Sequence, residues 1–119
     1  MAKIDSFNFG FIVVDGKQYV SDVVILPYGT VKERDPGKGR VGSHTITRSE
    51  IDNMVRLRPE VILVGTGIDG LAKLSGDAEA YHQQVDFKLV VLPSNRLVPR
   101  FNQLTEEKKK VAALIHITC

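Results

Sequence analysis

Residues 61–70 read Val-Ile-Leu-Val-Gly-Thr-Gly-Ile-Asp-Gly. Val61 to Val64 show no polar alternation, so a strand here is covered on both faces. The glycines that follow, Gly65, Gly67 and Gly70, let the chain turn sharply at the strand's carboxyl end. Open α/β sheets keep their ligand crevice at that end. The stretch is read as the central strand of a small α/β domain.

The flanking sequence extends this reading. Upstream, Thr47 and Glu50 form a capping box that opens a helix over about 48–58. Ile51, Met54 and Val55 are its buried stripe, and Pro59 stops it. Downstream, a weak, exposed helix is expected over about 77–85, then a strand from Lys88 to Leu92 closed by Pro93. Ser94 is read as the cap of a third helix over about 95–109, with Pro99 kinking it or delaying its start. Val111 to Ile117 is the last strand, aliphatic except for His116. Strands joined through helices run parallel, with right-handed crossovers. The carboxyl ends of all three then share one edge, bringing Gly65-Thr66-Gly67, Pro93-Ser94 and the residues from His116 to Cys119 together.

The first third has a different rhythm. Phe7 to Val14 reads as a strand, Asp15-Gly16 as a hairpin turn, and Lys17 to Leu26 as its partner. Pro27-Tyr28-Gly29 makes a second turn before a short third strand over about 30–34. Residues 35–44, Asp-Pro-Gly-Lys-Gly-Arg-Val-Gly-Ser-His, are a loop. The expected fold class is therefore α/β. One small domain spans residues 1–119, with an N-terminal antiparallel β-meander and a central, largely parallel sheet flanked by helices.

Composition narrows the function classes. With 16 basic against 14 acidic side chains, the charge is too balanced to imply nucleic acid as a partner. No apolar run approaches the roughly 18 residues that span a membrane. The start lacks both a secretory h-region and a transit-peptide pattern, so a cytoplasmic protein is expected. Cys119 is the single cysteine, so no internal disulfide forms. As the last residue, its carboxylate would raise the thiol pKa and lower its reactivity.

Each motif has a plainer reading beside the functional one. Gly65-Thr66-Gly67-Ile68-Asp69-Gly70 matches the dinucleotide fingerprint literally. Its acidic partner is misplaced, however, because Asp86 precedes the next strand instead of ending it. A glycine turn is preferred. Lys38 and Arg40 among glycines could wrap an anion, but the phosphate-loop spacing is absent and a solvated loop is preferred. His44, His82, His116 and Cys119 lack the tight spacing of a metal site. His116 and Cys119 would also face opposite ways in regular strand geometry. No metal and no cofactor are expected. An acyl-transfer triad would need three distant residues chosen by guesswork, with no nucleophile elbow to guide the choice.

Several pieces follow one another in a recognisable order: Gly42-Ser43-His44, Val64 to Gly70, Pro93-Ser94, Phe101-Asn102 and the stretch from Ala113 to Cys119. In this the chain resembles the Mth nine-three-eight-like family, small α/β domains of unknown function. Eukaryotic relatives in that family include an adipogenesis-associated protein and an assembly factor of mitochondrial complex I. The resemblance covers nearly the whole chain and implies a single α/β domain, with no established catalytic residue or cofactor. Ser94 stands where the family's usual residue is threonine, and Leu97 and Pro99 depart from its cleaner helix.

Two functions follow as expectations. The first is a non-enzymatic binding or assembly-accessory protein with a protein partner, whose meander edge also suits oligomer formation. The second is a small-ligand or anion-binding protein, with catalysis left open. It would use a crevice made by Gly65, Thr66, Gly67, Gly70, Ser94, His116 and Thr118, with His44 reaching over from its loop.

Overall fold

The computed structural model describes residues 2–34 and 44–119. The expected loop over 35–44 lies outside them except for His44. Within the described residues there are ten strands: β1 (Ile4–Asn8), β2 (Phe11–Val14), β3 (Lys17–Tyr19), β4 (Val23–Ile25), β5 (Val31–Glu33), β6 (Thr45–Ile46), β7 (Val61–Thr66), β8 (Lys73–Leu74), β9 (Leu89–Leu92) and β10 (Val111–His116). The helices are α1 (Arg48–Val55), α2 (Gly76–Gln84) and α3 (Ser94–Glu106). The central sheet has the order β5-β4-β10-β7-β9. β10 and β9 both run parallel to β7, which lies between them, while the β4–β5 hairpin adds antiparallel to β10.

β7 and β10 are buried along their whole length. The period-two alternation of a strand splits their side chains between two cores. Val61, Leu63, Val111, Ala113 and Ile115 pack with Leu97 and Phe101 of α3 and with Ile4, Ile12 and Val14 of the three-stranded sheet β1-β2-β3. Ile62, Val64, Ala112 and Leu114 pack with Ile51 and Met54 of α1 and with Ala78 and Tyr81 of α2. A strand covered on both sides has no solvent face to alternate toward, which explains the unbroken aliphatic run.

The local signals act through identifiable bonds. The Thr47 hydroxyl accepts from the Glu50 amide at 3.3 Å, and the Glu50 carboxylate accepts from the Thr47 amide at 3.0 Å. These are the two halves of the capping box. Asp15 and Gly16 both take positive φ, 51° and 80°, and join β2 to β3 with Val14 opposite Lys17. That is the geometry a two-residue hairpin turn requires.

Four expectations are corrected. Phe7 to Val14 is two strands, because the Asn8 side chain accepts from the Phe9 amide and Gly10 turns with φ 87°, making a second tight hairpin. Lys17 to Leu26 is also two strands in different sheets. The chain leaves the small sheet after Tyr19 and enters the central sheet at Val23. Helix α1 ends at Val55, with Arg56 as its C-cap, short of Arg58. Finally, α3 begins at Ser94 itself, with Pro93 in the cap position and no side-chain cap bond, and it runs through Pro99. The Ser94 hydroxyl is used elsewhere. The short parallel pair β6–β8 has no counterpart in the sequence reading; two residues in each strand carry no readable periodicity.

Candidate functional site

The shared edge forms as topology requires, and its residues meet. The Ser94 hydroxyl donates to the His116 carbonyl at 2.6 Å and accepts from the Gly67 amide at 2.8 Å. The Ser94 amide donates to the Gly67 carbonyl at 2.9 Å, and the Ile68 amide to the Thr118 carbonyl at 2.8 Å. Thr66 adds a bond from its hydroxyl to the Leu92 carbonyl at 3.2 Å. Ser94 and His116 are fully buried.

These groups are bonded to one another, and the crevice is filled by the chain's own tail. A Cβ built on Gly67 would meet the Cys119 carbonyl carbon and the Thr118 carbonyl oxygen at 2.6 Å. A Cβ on Gly65 would meet the Ser94 Oγ at 2.7 Å. Gly65 and Gly67 therefore admit Ser94 and residues 118–119 where an open crevice would admit a ligand. Gly70 stands slightly apart; a Cβ there would reach Thr66 and Pro93 at ordinary contact distance. Its amide bonds weakly to the Gly67 carbonyl at 3.3 Å.

A second cluster grows outward from His116. Its Nδ1 lies 2.9 Å from Asp22 Oδ2, and its Nε2 lies 3.0 Å from Thr118 Oγ1. An ionised carboxylate only accepts, so Nδ1 carries the proton in the neutral ring, and Nε2 accepts from the threonine hydroxyl. Asp22 also accepts from the Ile117 amide and from Arg34 Nη1, both at 2.9 Å. Arg34 in turn forks onto Glu50, with Nε to Oε2 at 2.6 Å and Nη2 to Oε1 at 2.9 Å, and it donates to the Thr45 carbonyl. One chain of bonds thus runs from the capped start of α1 through Arg34 and Asp22 to His116 and Thr118.

Burial alone would push the Asp22 carboxyl up. The bonds from His116 and the Ile117 amide, with His116 and Arg34 beside it, outweigh burial and hold it below the usual aspartate value. Burial would likewise lower Arg34. The Glu50 and Asp22 carboxylates reverse that and raise it.

His44 does reach over. Its Nε2 is 3.5 Å from Cys119 Sγ, and its ring meets the His116 ring edge-on with centroids 4.9 Å apart. Regular strand geometry ends at His116, so residues 116 and 119 do not keep the opposed facing of a strand, and His44 touches both. No group of three or more potential metal ligands occurs among the described residues.

Sequence reasoning missed Asp22, Arg34 and Glu50 as members of this cluster. Asp22 is 94 residues from His116, beyond any spacing rule. The one available signal was a polar Ser21-Asp22 step interrupting a β-branched run. A groove of about 240 Å³ lies between α1 and the β4–β5 hairpin, lined by Val24, Leu26, Lys32, Asn53, Met54 and Leu114 together with Arg34 and Glu50 of the same cluster. No helix among the described residues is long and apolar enough to cross a membrane.

No curated protein matches the chain. Solved structures do. MT938 is 25% identical, with both chains covered in full and a TM-score of 0.84. The conserved hypothetical protein PH1505 from Pyrococcus horikoshii OT3 is 30% identical over 98% of this chain and 99% of its own, with a TM-score of 0.79. A Mth938-like domain from Bordetella pertussis shares the fold at 18% identity over 97% of this chain and 85% of its own, with a TM-score of 0.65. The model of a protein family of unknown function, DUF498/DUF598, matches residues 4–116. The chain belongs to that family of small α/β domains.

Proposed function

We propose that the domain is a binding or assembly-accessory protein whose contact surface is the carboxyl edge of the central sheet. The observation that carries this reading is a rim of exposed apolar side chains around the half-buried tail. Phe9, Val20 and Leu71 are 56%, 74% and 56% exposed. Each sits in a segment held to the end of β10. Gly10 donates to the Ile117 carbonyl, Asp22 accepts from the Ile117 amide, and Leu71 donates to the Cys119 carbonyl. Apolar side chains gathered on one rim suit a protein partner or a second copy of the chain. One cysteine in the whole chain fits a cytoplasmic setting for this work.

The test is size measurement and crosslinking of the native complex in lysate, comparing the wild type with a Phe9→Ser, Val20→Ser, Leu71→Ser variant. The rim reading expects one stoichiometric complex, lost in the triple variant and kept by Val91→Ser on the edge strand β9. A complex indifferent to the triple variant would refute it, as would wild type running free in every condition.

A second reading, a small-ligand site with catalysis left open, is favoured by the Asp22–His116–Thr118 bonds beside His44 and Cys119. It differs from the crevice expected from sequence in one respect. The crevice amides of Gly67 and Ile68 are already engaged, so the ligand would sit outside the tail, against Thr118 and His44. Amide shifts confined to residues 116–119 and His44, on titration with phosphorylated metabolites and small esters, are expected. Shifts centred on residues 65–70 would count against that placement.

A further inference from the structure

We propose that Thr118, His116 and Asp22 form an acyl-transfer site in which the Thr118 hydroxyl takes an acyl group from a small activated ester. The proposal rests on the second reading above, that a small ligand sits at the tail. Its basis is an order of contacts. The Thr118 hydroxyl lies 3.0 Å from His116 Nε2, and His116 Nδ1 lies 2.9 Å from Asp22. A nucleophile in reach of a base, with that base held by a third group, is the arrangement nucleophilic catalysis requires.

The surroundings fit the roles. His116 is fully buried, so its ring is fixed in one orientation, with the proton on Nδ1 facing the carboxylate. Asp22 is itself held by Arg34 and the Ile117 amide. Thr118 is half-buried at the rim, and its backbone is pinned by the bond its carbonyl accepts from Ile68. The Thr118 and Cys119 amides donate to nothing among the described residues, so two N–H groups of the same segment are unengaged and open to an oxyanion.

The step balances without any further reactant. Thr118 Oγ attacks the ester carbonyl carbon as its proton passes to His116 Nε2. The carbon–oxygen bond to the leaving alcohol then breaks, and His116 returns the proton to that alcohol. Water, deprotonated by the same Nε2, hydrolyses the acyl-threonine and restores the hydroxyl. Thr118 and His116 are the catalytic residues; Asp22 is a positioning residue. The apolar rim lies on the same edge, so a partner docked there would present an acyl group to the hydroxyl.

The probe is 4-nitrophenyl acetate, followed by stopped-flow absorbance and by peptide mapping of the acetylated chain. The site predicts a stoichiometric burst, with the acetyl group on Thr118. Thr118→Ser keeps the burst. Thr118→Val and Asp22→Asn each slow acylation by about 100-fold or more while the melting curve shows a folded chain. Val91→Ser, on the exposed edge strand β9, leaves the rate unchanged. Acetyl found on Cys119 or on lysines, or a burst that survives Thr118→Val, overturns the proposal. If 4-nitrophenyl acetate and the unreactive 4-nitrophenyl methyl ether shift the amides of residues 116–119 but no acetyl-threonine forms, the ligand site stands and acyl transfer falls. If neither shifts them and none forms, both fall.

Discussion

Replacing Gly67 by alanine separates two effects that the structure places at one residue. The first is backbone strain. Gly67 has φ 98°, where an L side chain is disfavoured by roughly 1–3 kcal/mol. The second is a collision. The new Cβ would lie 2.6 Å from the Cys119 carbonyl carbon and the Thr118 oxygen, and 2.7 Å from the Cys119 oxygen. These are backbone atoms and cannot turn aside, so the tail must move. Moving it breaks the bonds from Ile68 to Thr118 and from Leu71 to Cys119, 2.8 and 2.9 Å long, each worth about 0.5–1.5 kcal/mol. Gly10 supplies the control, because its φ is 87° and a Cβ there meets nothing within 4 Å. Gly10→Ala therefore carries the strain alone, and Gly67→Ala carries strain plus the lost bonds, a difference of about 1–3 kcal/mol. For a chain of this size that difference lowers Tm by roughly 3–15 °C more in Gly67→Ala than in Gly10→Ala. Urea denaturation of both variants, with m unchanged, gives the comparison directly. Equal stabilities within about 0.5 kcal/mol would show that the tail does not occupy the turn and would refute the reasoning.

Three further outcomes follow from the same bonds. Ser94→Ala strips the buried Gly67 amide and His116 carbonyl of the Ser94 hydroxyl, a loss of about 2–6 kcal/mol at roughly 1–3 per group; chemical denaturation showing less than about 1 kcal/mol would contradict the assignment. Asp22 is held below the ordinary aspartate value of about 3.9, so its contribution is present above that value and is lost as pH falls below it toward the folded value. Asp22→Asn should thus be less stable than wild type by on the order of 3 kcal/mol at neutral pH, with the gap closing below about pH 4; a gap constant down to pH 2 would exclude Asp22 from the acid transition. For the neutral form of the His116 ring, long-range nitrogen–proton NMR spectra should show the proton on Nδ1, facing Asp22, and a proton on Nε2 instead would reverse the bond to Thr118.

How far the residues alone disclosed this arrangement varies with the kind of signal. The double coverage of β7 was readable because four aliphatics in a row leave no face for solvent. The parallel direction of β7, β9 and β10 followed from the helices between them, and with it the meeting of Gly67, Ser94 and Thr118. Local chemistry served for Thr47–Glu50 and for Asp15-Gly16, where each bond joins near neighbours. It failed at Asn8-Phe9-Gly10, because a run alternating phenylalanine with small residues looks like one strand until the asparagine bond to the Phe9 amide is known. Ser94 was given the wrong partner. A serine after proline at a helix start ordinarily caps that helix, and only the absence of a Cβ on Gly65 brings it to the neighbouring strands instead. Asp22 was out of reach, since its place beside His116 depends on the crossing from the small sheet to the central one, a tertiary event whose one local mark, the polar Ser21-Asp22 step, names no partner.

The central claim is that the crevice beyond β7 is sealed by the chain's own tail, so that chemistry or recognition happens outside it. Amide hydrogen exchange at Gly67 and Ile68 tests this most directly. With their amides bonded to Ser94 Oγ and the Thr118 carbonyl, both should exchange only through global unfolding, as slowly as the amides of β7 and β10. Exchange within minutes at neutral pH, or a chemical-shift response of both amides to added inorganic phosphate, would mean that the crevice is open and would contradict the account.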